Sequence, residues 1–81
     1  MRQKNDFKLI IQNKEKNINI SFDCDENDKF KEIEDKFIDK FPDYSDFDLN
    51  FSVNGKNIKR HQTLKENNIH NNDIINVAIE E

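Results

Sequence analysis

Asn54-Gly55 is the feature that most constrains this chain. It follows an alternating apolar run, Leu49, Phe51 and Val53, and Gly55 is the only glycine in 81 residues. A two-residue hairpin turn needs φ > 0 at both central positions, and Asn-Gly is the pair best suited to that. A second alternating run, Ile75, Val77 and Ile79, closes the sequence. Between the two lies a polar connection interrupted by Ile58, Leu64 and Ile69. Two strands are therefore anchored in the second half, one of them turning sharply at a single glycine.

The first half repeats the period of two. Phe7, Leu9 and Ile11 alternate with Lys8, Ile10 and Gln12, which predicts a half-buried strand from Asp6 to Gln12. Ile10 breaks the polar face, either as an isolated exposed side chain or as part of a binding patch. After a polar turn over Asn13–Lys16, residues Asn17–Asp23 alternate again, with Ile18, Ile20 and Phe22 inward. So short a connection predicts an antiparallel hairpin. Cys24–Asn27 reads as an acidic loop, and Asn27 or Asp28 as the N-cap of a helix. Phe30, Ile33, Phe37 and Phe41 then recur at spacings of three and four, the stripe of an amphipathic helix. Glu32 and Lys36 stand four apart in the favourable order, and Pro42 stops the helix.

Asp43–Asp46 reads as a loop, Phe47–Val53 as a strand and Lys56–Ile58 as a short one. Thr63 followed by Glu66 has the capping-box spacing of a single helical turn. Asn71-Asn72-Asp73 is turn-like and Ile74–Glu80 forms the last strand. The connection before that strand is too long for a hairpin, so it is expected to return parallel to the first strand. The fold class is α+β: a four- to five-stranded mixed sheet, ββαββ in order, packed on one main helix. Residues 1–5 are expected to be a flexible N-terminus and 6–81 the domain.

Hydrophobic residues are 33% and charged residues 37% of the chain, so the core must be thin, and seven phenylalanines supply much of its bulk. The net charge of −4 and the interleaving of lysines with acids argue against a nucleic-acid ligand and favour a protein partner with a basic surface. One cysteine, Cys24, cannot form an internal disulfide. No window is apolar enough to span a membrane, and the expected location is cytoplasmic and/or nuclear.

No constellation for catalysis stands out. His61 and His70 have no partners at metal-ligand spacing, and one cysteine completes no zinc or iron–sulfur site. The acidic neighbours of Cys24 raise a thiol pKa and disfavour a nucleophile. Asp23/Asp25 and Asp46/Asp48 read as solvated loop pairs. Calcium-loop and phosphate-loop patterns lack their glycines. The expectation is a non-enzyme with no cofactor and no metal, monomeric on its own.

Phe51-Ser52-Val53-Asn54-Gly55-Lys56-Asn57-Ile58, followed by Thr63-Leu64, Asn68-Ile69 and Ile75-x-Val77, resembles the third strand, glycine turn and final strand of the ubiquitin-like β-grasp family. The helix stripe Phe30, Ile33, Phe37 also keeps the family's spacing. The resemblance spans residues 6–80, and Asn72–Val77 is similar to SUMO-type domains. It implies a β-grasp fold and a role in protein recognition.

In ubiquitin, recognition uses the outer sheet face. The matching positions here are Ser52, Asn76 and Ala78, with Asn50 and Glu80 where ubiquitin carries arginines that meet its activating enzyme. With Ile10, the outer-face candidates are Ile10, Asn50, Ser52, Asn76 and Ala78. SUMO-type domains instead bind an extended strand between the second strand and the helix. The corresponding groove here is Ile20, Ser21, Phe22, Ile33 and Phe37, with acidic Asp23 on its rim and Lys36 and Lys40 near it. Conjugated members end in Gly-Gly, whereas this chain ends Ala78-Ile79-Glu80-Glu81. The expected function is a non-covalent protein–protein interaction module, as a domain of a larger protein or a subunit of an assembly. The alternative is a covalently conjugated modifier whose Gly-Gly tail lies outside this chain.

Overall fold

The structure, a computed structural model, describes residues 7–80. The expected flexible stretch, 1–5, lies outside the described residues. Within them, β1 (Phe7–Asn13) and β2 (Ile18–Cys24) form an antiparallel hairpin, followed by the helix α1 (Phe30–Lys40). A 3₁₀ turn at Pro42–Tyr44 leads into β3 (Asp48–Val53), β4 (Lys56–Asn57) and β5 (Asp73–Glu80). The five strands make one mixed sheet in the order β2-β1-β5-β3-β4. β5 runs parallel to β1, with Ile11 beside Ile75, and antiparallel to β3, with Phe51 beside Val77.

The period-two strands and the three-then-four helix face meet in one core. Leu9, Ile11, Ile33, Phe37, Leu64 and Ile75 are fully enclosed. Each such side chain contributes roughly 1.5–3 kcal/mol by leaving water. Phe51 makes T-shaped contacts with two helix rings, Phe30 at 5.0 Å and Phe37 at 5.8 Å between centroids. From Phe37 a chain of rings runs through Phe41 and Tyr44 to Phe47. It fixes the 3₁₀ turn against the helix end in the stretch expected to be plain loop.

Turns in this glycine-poor chain are made by asparagine. Among the described residues, Asn17, Asn54, Asn68 and Asn72 have positive φ, as does Gly55 at +80°. Asn54 (φ 53°) and Gly55 form the expected turn. Asn17, expected as an outward strand residue, is instead the left-handed residue of the β1–β2 turn, and the strand begins at Ile18. Asn tolerates that region because its short polar side chain bonds locally.

The start of α1 also differs from expectation. Neither Asn27 nor Asp28 caps it; Lys29 holds that position without a side-chain bond. Asp28 Oδ2 is engaged by the Asp25 N–H at 3.0 Å. The free helix N–H groups are met by distant carbonyls instead: Phe30 N–H donates to Gln62 O at 3.0 Å and Lys31 N–H to Arg60 O at 2.9 Å. The 59–67 loop supplying them is locked by Asn67, whose Nδ2 donates to Lys59 O (2.9 Å) and Thr63 O (3.0 Å) while its Oδ1 accepts from Lys59 N–H (2.9 Å). The capping box forms as expected: Glu66 N–H donates to Thr63 Oγ1 at 3.0 Å and Thr63 N–H to Glu66 Oε1 at 2.9 Å. The helix-surface pair observed is Lys31–Asp35 at 3.4 Å, while Lys36, expected to meet Glu32, donates to the Asp23 carbonyl at 3.2 Å.

Candidate interaction face

Because β-strand side chains alternate, the residues between the core positions all point to the outer face of the sheet. Strand register arranges them in rows. One row runs Ser21–Ile10–Ile74 across β2, β1 and β5. The next crosses all five strands as Asn19–Gln12–Asn76–Ser52–Asn57. A third pairs Ala78 with Asn50. Gln12 Nε2 donates to Asn76 Oδ1 at 3.2 Å within the long row.

None of these positions is charged, in a chain that is 37% charged. Charge returns only at the two ends of the face, as Lys8 opposite Asp23 and Asp48 opposite Glu80. Ile74, 48% exposed, is the exposed large hydrophobic side chain among the described residues, and it lies beside half-buried Ile10.

The outer-face candidates Ile10, Asn50, Ser52, Asn76 and Ala78 therefore share one surface. Ile74 belongs with them and was not singled out in the sequence. Its neighbour Ile75 is the obvious inward residue, but strict alternation from Ile75, with β5 placed parallel to β1, would have put Ile74 outward beside Ile10.

The groove candidates do not assemble in the same way. Ser21 lies on the outer face, paired with Ile10. Ile33 and Phe37 have no exposed area, because the helix seats them in the core, so they give a partner no floor to touch. What is open on that side is a shallow cleft of about 200 Å³ lined by Phe22, Lys36, Asp39 and Lys40. Ile20 is half-buried at that edge of β2, and Lys36 already occupies the Asp23 carbonyl there.

Cys24 ends β2 rather than lying in the acidic loop. Its thiol pKa is pushed up to about 11, first by burial and then by Asp28, with Lys36 opposing and Asp23 and Asp25 adding smaller upward effects. The direction agrees with the sequence expectation, but burial outweighs the acids. His70 and Asp73 lie 3.8 Å apart at the surface.

No helix among the described residues is long and apolar enough to cross a membrane. A five-stranded mixed sheet with a parallel β1–β5 pair, one helix across its inner face and a crossover through the 59–72 segment defines a β-grasp domain. The family model for the ubiquitin family matches residues 7–81, and the chain belongs to that family. No curated protein matches the sequence.

Proposed function

We infer that this ubiquitin-family domain is a non-covalent protein-interaction module whose partner docks on the outer sheet face. The carrying observation is the absence of charge from the three central rows of that face. Solvent-exposed surface in a chain so rich in Lys, Asp and Glu is expected to be charged, whereas the centre of a protein interface is depleted in charge. Ile74 and Ile10 supply an apolar anchor, and the amide row offers both donors and acceptors to a partner's polar groups. The pair is small, so the affinity is expected to be modest, with much of it carried by Ile74.

The test is affinity capture from extracts of the cells that make the protein, with four immobilised forms: wild type, Ile74→Asp, Ile10→Asp and a helix-surface control, Asp39→Asn. A partner held by wild type and Asp39→Asn and lost by both outer-face variants supports the reading. A partner retained by both outer-face variants places the site elsewhere. Adducts that survive denaturing gels would favour covalent conjugation instead.

A further inference from the structure

β3 has two edges, and only one is fully used. β5 pairs with it from Asp48 to Ser52. On the other side β4 reaches only Ser52 and Val53, with one more bond from Ile58 N–H to the Phe51 carbonyl at 2.9 Å. Main-chain groups alternate between the two edges of a strand. The N–H and C=O of Leu49 therefore face the β4 side, as those of Phe51 do, but lie beyond the end of β4, where no strand among the described residues stands beside them.

A cleft of about 470 Å³ runs along this open stretch, between the strand, the helix and the 44–47 turn. Ile38 and Phe47 form its apolar part, and Glu34, Asp48 and Glu80 bring three carboxylates to it against the single guanidinium of Arg60. Asp48 and Glu80 stand directly opposite each other on β3 and β5. Like charges in that arrangement destabilise a sheet unless something lies between them. Glu34 turns Oε2 to Arg60 Nη2 at 3.3 Å, while its buried Oε1 has no hydrogen-bond partner among the described residues. An unpaired strand edge is suited to main chain, and the surplus carboxylates are suited to a cation.

We propose that this edge of β3 takes an extended segment of a partner protein bearing an arginine. The segment forms main-chain hydrogen bonds with Leu49, as in strand addition. Its guanidinium seats over Asp48 and Glu80, where a planar fork can engage two carboxylates at once. The stem of that side chain lies along the apolar part of the cleft. The site adjoins one charged end of the outer face and shares Asn50 with it, but it does not involve Ile10 or Ile74, so the two readings can fail independently.

The probe is the peptide acetyl-Thr-Val-Arg-Val-Thr-amide, titrated into the ¹⁵N-labelled protein, with the neutral citrulline peptide as its isostere. Binding should move the Leu49 amide resonance and slow its hydrogen exchange, and should weaken as salt is raised. The citrulline peptide should bind about tenfold more weakly, the difference a charge-assisted hydrogen bond makes. Asp48→Asn and Glu80→Gln should give the same loss while keeping the dispersed spectrum of a folded domain, since each removes a like-charge opposition. Ile74→Asp should bind the peptide as wild type does. Equal binding of the two peptides, an unmoved Leu49 amide, or no binding of the arginine peptide at low-millimolar concentration overturns the proposal.

Discussion

Cys24 shows how position outweighs composition at the scale of one residue. Four acids surround it in sequence, yet the largest influence on its thiol is loss of water at the end of β2. The folded thiol keeps its proton until about pH 11, against an ordinary value of 9.0. Between those values the unfolded chain has released a proton that the folded chain still holds, so raising the pH favours unfolding. The contribution is intact below pH 9 and is lost as pH rises through the folded value. Urea unfolding of wild type and Cys24→Ser, compared from pH 8 upward, should show wild type losing stability relative to the variant over that window. The folded thiol should also react with iodoacetamide at pH 8 at least about tenfold more slowly than it does in urea, because the thiolate is the nucleophile. Equal rates in the two states would contradict the assignment.

At the scale of elements, the strands and the helix face were legible because their periods, two and three-to-four, are written locally. Phe30, Ile33 and Phe37 could be assigned to the core from spacing alone, and all three are buried. The Asn54-Gly55 turn and the Thr63–Glu66 capping box were readable for the same reason, since each is complete within four residues. The helix start was not readable. Its N–H groups are satisfied by Gln62 and Arg60, some thirty positions along the chain, and no local pattern reports a partner at that distance. Asn67 was missed as well, because a polar residue in a polar loop looks like solvent-facing surface until its bonds to Lys59 and Thr63 are seen. That residue ties the loop to the helix. Asn67→Ala should therefore cost about 1–3 kcal/mol in urea unfolding, the scale for leaving partly buried groups unpaired. It should also speed hydrogen exchange at the Phe30 and Lys31 amides, whose acceptors sit in that loop. Unchanged exchange at those two amides would show that the loop holds without Asn67.

At the scale of the whole molecule, charge is kept out of the central rows of the outer sheet face. The outer face is uncharged through its centre, and acids gather at one end, where β3 leaves an edge open beside Glu34, Asp48 and Glu80. From sequence, the outward residues Asn50, Ser52, Asn76 and Ala78 could be assigned to one face through the resemblance to ubiquitin, whose recognition face they match. The rows themselves could not be read, since they depend on registers such as Ile10 beside Ile74, between strands far apart in the chain, and the cleft depends on how far β4 extends. The direct measurement of the outer-face reading is the amide spectrum of the ¹⁵N-labelled domain in extract of the cells that make it. Binding there should broaden Ile10, Ser52, Ile74 and Asn76 while the exposed helix amides of Glu32 and Asp39 stay sharp, and Ile74→Asp should restore the spectrum seen in buffer. Broadening confined to β2 and the helix, or none at all with the partner present, would contradict it.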